Sequence, residues 1–222
     1  MSKVRIWDLA TRLFHWSLVA LVAAAVVTAQ IGGNALEWHF ACGYAILSLL
    51  VFRILWGIIG ARYARFSSFS LSPSSFLAYL RARKDGARRS YAGHSPFGSL
   101  SVSIILLALS AQAVTGLFAN DDIASEGPLA KLVARDVSDR FSWFHAEFNS
   151  VLIYGLVALH VAAIAYYFFI WRENLVTPMI TGDKEGLEPD EAARDGWRGR
   201  LLAAALFVLS LAAVLAIVNL SS

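Results

Sequence analysis

Cysteine is nearly absent, with Cys42 the only one among 222 residues. A single thiol excludes an internal disulfide and any metal centre built from cysteine alone. Charge is scarce too. Asp, Glu, Lys and Arg make up 16% of the chain, against about 25% in an ordinary soluble domain. There is no internal repeat and no low-complexity tail. Proline is rare, and Pro96 and Pro178 fall at or beyond the ends of apolar runs, so they break no helix.

What fills the chain is hydrocarbon. Hydrophobic residues reach 58%, mean hydropathy is positive, and the charges sit in short blocks between long apolar runs. Five runs are long enough to cross a bilayer: Leu13–Ile31, Leu36–Gly60, Phe97–Ala119, Phe144–Trp171 and Leu201–Leu220. Spanning about 30 Å of hydrocarbon takes roughly 20 helical residues, and barrel strands would instead alternate over about 10. Trp16, Trp38, Tyr63, Trp143, Trp171 and Trp197 fall near run ends, where interfacial anchors are expected. The first run follows Lys3, Arg5 and Arg12, as a signal peptide would. It is longer than an h-region and carries His15, so a retained helix is expected.

Orientation follows from Lys and Arg. The N-terminus is basic and the next connection, "IGGNA", is bare. Then comes a basic loop with Arg62, Arg65, Arg81, Arg83, Lys84, Arg88 and Arg89, followed by an acidic loop with Asp121, Asp122, Glu126, Asp136 and Asp139. The last loop is mixed but basic again, with Arg172, Lys184, Arg194, Arg198 and Arg200. This pattern puts the N-terminus in the cytoplasm and the C-terminus outside. The net charge of +3 therefore reports topology and gives no reason to expect nucleic acid as a partner.

The histidines sort by depth. His39 and His145 stand at the outer starts of the second and fourth runs, while His15 stands near the inner end of the first. His160 follows His145 by fifteen residues, hence roughly 22 Å deeper and on broadly the same side of a helix. His39 and His145 thus make an outer pair, and His15 and His160 an inner pair. A lone membrane histidine can simply hydrogen-bond to a neighbouring helix or sit at the wet interface. Two pairs at two depths fit haem better, because a six-coordinate iron takes one imidazole from each side and neutral imidazole buries no bare ion. Zinc would want three or four ligands at one level. Cys42, one turn from His39, reads as a small packing residue.

Arg53 lies fourteen residues after His39, near the inner level and on nearly the same helix face. A buried arginine needs an anion, which a haem propionate would supply; the other reading is snorkelling to the inner headgroups. Gly43, Gly57, Gly116 and Gly155 fall inside the runs. Close helix packing explains such glycines, and at Gly43 and Gly155 so would a flat macrocycle.

The ordered set "VRIWDLATRLFHW", "WHFACGYAILSLLVFRILWGIIGARYARF", "GHSPFGSLSV", "VTGLFANDD", "FHAEFNSVLIYGLVALHVAAIAYY" and "NLVTPMITGDK" resembles the bacterial cytochrome b561 family. That family groups with the b-type cytochrome subunits of nickel–iron hydrogenases. The resemblance covers about residues 3–184. It implies an all-α membrane protein: a four-helix transmembrane bundle holding two b haems, here residues 1–184, with residues 185–222 adding a linker and a fifth helix that small members lack. His15, His39, His145 and His160 match the ligand positions. His94 matches a "GHNPxG" motif in which Ser95 replaces Asn; near the inner propionates or a quinone it would touch the cofactor, and otherwise it shapes the turn before Pro96.

The expected function is transmembrane electron transfer in the bacterial inner membrane, between a quinone (ubiquinone or menaquinone) and a redox partner. A c-type cytochrome or a hydrogenase or dehydrogenase subunit would fill the partner role. Bis-His ligation leaves no open position at iron, so substrate chemistry there is not expected; the sequence leaves open whether the relay is a plain carrier or a quinone oxidoreductase or a subunit of one. Two alternatives are a haem-free transporter using intramembrane histidines as proton relays and a purely structural anchor subunit. The first calls for acidic partners within helices and broken helices around a site, and the sequence has neither.

Overall fold

The first long helix begins where Asp8 caps it. In the computed structural model of the chain, Asp8 is 3% exposed. Its carboxylate accepts the Thr11 amide (2.9 Å), the Thr11 hydroxyl (2.7 Å) and the Trp56 indole N–H (3.2 Å). A capping carboxylate of this kind is worth about 1 kcal/mol. The structure describes residues 3–86, 91–121, 125–188 and 192–221. Arg88, Arg89 and Asp122, counted above among the loop charges, lie outside them.

The elements run in chain order as β1 (Lys3–Arg5), α1 (Leu9–Ile31), α2 (Leu36–Ile59), α3 (Pro73–Lys84), α4 (Pro96–Gly116) and α5 (Arg135–Trp143). A π-helical turn (Phe144–Asn149) follows, then α6 (Ser150–Phe169), α7 (Val176–Thr181), β2 (Asp183–Glu185) and α8 (Trp197–Val218). Among the described residues, five helical segments are long and apolar enough to span a membrane. The expected runs match these within a few residues, except that the fourth begins at Arg135 and not Phe144. Its first turns, "RDVSDRFSW", are polar and so carry no hydropathy signal.

Local chemistry sets the ends. Gly32 and Gly33, with φ of 67° and 55°, stop α1. Ser72 accepts the Ser75 amide and Pro73 takes the first turn of α3, whose last turn carries Arg81, Arg83 and Lys84. Ser95 Oγ accepts the Gly98 amide at 3.2 Å, so it caps α4. Ser and Asn cap helices about equally well, so the Ser95 departure from the family motif keeps its role.

The described residues form two compact units: residues 1–13, 54–105 and 156–204, and residues 14–53, 106–155 and 205–222. The first holds what hydropathy missed. β1 pairs antiparallel with β2, Val4 opposite Lys184. Arg5 donates to Asp183 (2.6 Å) and Asp195 (2.7 Å). The Ile6 and Trp7 amides donate to the Gly182 carbonyl. Gly182 has φ 92°, and a Cβ there would lie 2.7 Å from the Trp7 carbonyl, so the position requires glycine. Val4, Ile6, Trp7, Tyr63, Leu187 and Ala193 make the core beneath this sheet. Tyr63 is therefore a buried core residue and not an outward anchor; Trp38, Trp143 and Trp197 are exposed as anchors should be. Trp171 lies under the Arg83 guanidinium, 4.0 Å from ring centroid to Cζ. Arg83 also donates to the Tyr79 hydroxyl. Burial, with the hydrogen bond to Tyr167, pushes the Tyr79 phenol up to about 12.

In the second unit Leu47, Leu117 and Val214 form a core flanked by Tyr44, Phe118 and Leu129. Val214 of α8 is 1% exposed, and Phe207 meets Phe52 edge-on at 6.2 Å. The fifth long helix is thus packed against α2. Leu107, Leu159 and Leu209 stay exposed, apolar surface suited to lipid.

Candidate functional site

His39 and His145 meet. Their ring centroids are 6.0 Å apart and their planes perpendicular. Two metal–nitrogen bonds of about 2 Å, with roughly 1 Å from each nitrogen to its ring centre, make a similar separation. Each imidazole is oriented by a backbone carbonyl on a neighbouring helix. His39 Nδ1 donates to Ala25 O of α1 and His145 Nδ1 to Gln112 O of α4, both at 2.9 Å. A carbonyl oxygen only accepts, so Nδ1 holds the proton and each Nε2 keeps the lone pair a metal needs.

A cavity of about 410 Å³ opens beside them, lined mainly by apolar side chains of α1, α2, α4 and α6. That size falls in the roughly 300–1,000 Å³ range of cofactor sites. Gly43, one turn beyond His39, lines it, and a Cβ there would meet no atom within 4 Å. Gly116 lies under the His145 ring; a Cβ on it would approach Cε1 to 2.8 Å. The donor set, the tautomers and the glycines fit a haem held between His39 and His145. Gly155 does not line the cavity, and Gly57 has another task, leaving room for the Phe66 ring. Cys42 is not among the lining residues either. Among the described residues no three His, Cys, Asp or Glu side chains cluster as a metal site would require.

His145 sits within the π turn, a position that sequence periodicity does not reveal. Gln112 and Asn149, which brace this turn, were also missed. Their only sequence signal is that both are polar amides inside apolar helices.

The remaining candidates are not among the residues that line this cavity. His15 on α1 meets the Trp16 ring edge-on at 4.9 Å. His160 is half-buried on α6. The two belong to different units, so their pairing rests on the depth reading. Arg53 is 3% exposed, with its guanidinium 5.9 Å from the Phe14 ring centroid. A head enclosed this way does not snorkel to headgroups. His94 packs between Trp7 (4.7 Å) and Phe69 (5.1 Å) beside the capped start of α4. In the acidic loop, Arg135 pairs with Asp139 at 3.2 Å and reaches Glu126 at 3.9 Å. Part of the acidic charge of this loop is thereby neutralised.

Comparison with curated proteins and with solved structures returned no match. The family described as prokaryotic cytochrome b561 matches residues 6–182, a span that includes every candidate histidine and Arg53 and stops short of α8. With five apolar helices among its described residues and a family model matching residues 6–182, the chain belongs to the prokaryotic cytochrome b561 family, helical membrane proteins of b-type haem electron transfer.

Proposed function

We propose that the protein carries electrons across the bacterial inner membrane through two b haems, each held by two histidines. The observation that carries this reading is the meeting of His39 and His145, both with Nδ1–H bonded to a backbone carbonyl, which leaves each Nε2 with a free lone pair. A bound haem supplies reversible one-electron chemistry at iron. His39 and His145 hold the outer group, and His15 and His160, one from α1 and one from α6, hold the inner. Arg53, a buried cation, supplies charge for an inner propionate. His94, at the start of α4, stands where the inner propionates or a quinone headgroup would be met.

Residues 1–184 form the haem-binding domain and residues 185–222 add the linker and α8. The N-terminus is cytoplasmic and the C-terminus periplasmic, in keeping with the Lys and Arg pattern. Electrons pass between ubiquinone or menaquinone and a partner, either a c-type cytochrome or a hydrogenase or dehydrogenase subunit. Liposomes containing the protein and a trapped, impermeant oxidant test this. External quinol should reduce the trapped oxidant, and His160→Leu should stop it while leaving the outer haem in place. Unchanged electron passage in that variant would overturn the two-site path.

A further inference from the structure

Phe144–Asn149 is a π-helix set between two α-helices. A π turn replaces i,i+4 bonding by i,i+5, and such turns recur at functional positions. Two amides make up for the change. Gln112 Nε2 donates to the His145 carbonyl at 2.9 Å. The Asn149 amide donates to the Ala108 carbonyl at 2.9 Å and to Gln112 Oε1 at 2.7 Å. The Gln112 carbonyl in turn receives His145 Nδ1–H at 2.9 Å. Gln112 therefore grips His145 at two points, ring and main chain, and Asn149 holds the gripping side chain. Asn149 is 1% exposed, so bulk water does not compete for these bonds. All lie in one unit.

We propose that Gln112 and Asn149 are positioning residues for the outer haem ligand: they fix the rotation of the His145 imidazole and the strength of its Nδ1–H bond, and so set the reduction potential of that site. The inference rests on His145 being a haem ligand. A firm bond from Nδ1–H raises the basicity of Nε2. A more basic ligand favours ferric over ferrous iron and lowers the potential; loosening the grip raises it. A merely space-filling role would be met by any side chain of similar length.

Gln112→Met tests this, since it keeps the length and the backbone carbonyl that accepts Nδ1–H, and loses the side-chain donor to the His145 carbonyl and the side-chain acceptor of the Asn149 amide, so that the bond is loosened through the main chain that carries the ring. The readouts are haem content, a spectroelectrochemical titration, and the electron paramagnetic resonance of the ferric protein. Haem content should hold, while one midpoint potential rises by a tenfold shift of its equilibrium, about 59 mV for one electron. The resonance of that haem should move and the other stay. Asn149→Ser should act in the same direction. Where Gln112→Met fails to accumulate, Gln112→Asn keeps the amide, shortens its reach and should show a smaller shift. Loss of one haem alone, leaving the spectrum of His145→Leu, would express the same coupling more strongly. Wild-type potentials and resonances in Gln112→Met at full haem content would overturn the proposal. A folded wild-type protein without haem would overturn the ligand reading itself.

Discussion

The His145 imidazole rests on Gly116, so closely that a Cβ built there would lie 2.8 Å from Cε1 and 3.1 Å from Nδ1. The ring cannot retreat freely, because its Nδ1 is held by the carbonyl of Gln112, on the same helix as Gly116. Nor can Gly116 move away: its carbonyl would lie 2.4 Å from a Cβ on Gly127, where the loop crosses it closely. The ring, the carbonyl and the glycine act as one seat.

Gly116→Ala should therefore unseat the ligand. A methyl group under 3 Å from the ring breaks the Nδ1–H bond or turns the imidazole. Disturbing such an orienting partner costs about 10- to 100-fold in metal affinity. Haem retention at the proposed His39–His145 site, measured during dilution into apomyoglobin, should fall by at least the lower figure. Gly43→Ala, at a position with open space, should have its effect through the cavity alone and leave the His145 bond intact.

Asp195 gives the fold a pH dependence. Burial alone would raise its carboxyl, but hydrogen bonds from Arg200 and the Leu9 amide, with the charges of Arg200 and Arg5, hold it below its ordinary value. A group depressed in the folded state stabilises above its unfolded pKa, about 3.9, and that contribution is lost as pH falls through the lower folded value. Thermal unfolding in detergent should lose stability below about pH 4. Asp195→Asn should cost about 2 kcal/mol at neutral pH and flatten this acid limb.

Arg172 has φ 55°. The Glu173 amide donates back to Tyr167 O, six positions earlier, in the turn that ends α6. That position favours glycine, and an ordinary side chain there costs about 1 kcal/mol. Arg172→Gly should raise stability by a few tenths to about 1 kcal/mol, seen as a higher midpoint of thermal unfolding with unchanged haem content.

The long helices and the His39–His145 pair were legible because hydropathy and helical rise are periodic quantities. Depth follows from counting residues, and two histidines at one level can meet across a bundle. The β1–β2 pairing was not legible: three-residue strands carry no period, and their register is fixed by Gly182 and by Arg5 with its two aspartates. The π turn was hidden because "FHAEFN" reads as ordinary helix, and the bonds of Gln112 and Asn149 that brace it join residues 33 to 41 positions apart. Tyr63 misled because an aromatic near a run end anchors a helix or fills a core equally well. Gly116 was counted among packing glycines, and only the position of the His145 ring distinguishes it.

The most direct measurement is the reduced-minus-oxidised spectrum of the purified protein with pyridine-haemochrome stoichiometry, taken on wild type, His145→Leu and His160→Leu. We expect low-spin b-type bands with two haems per chain in the wild type, and one in each variant with distinct spectra. A folded, detergent-stable wild type without haem would contradict the assignment of His39 and His145 as ligands and with it the electron path.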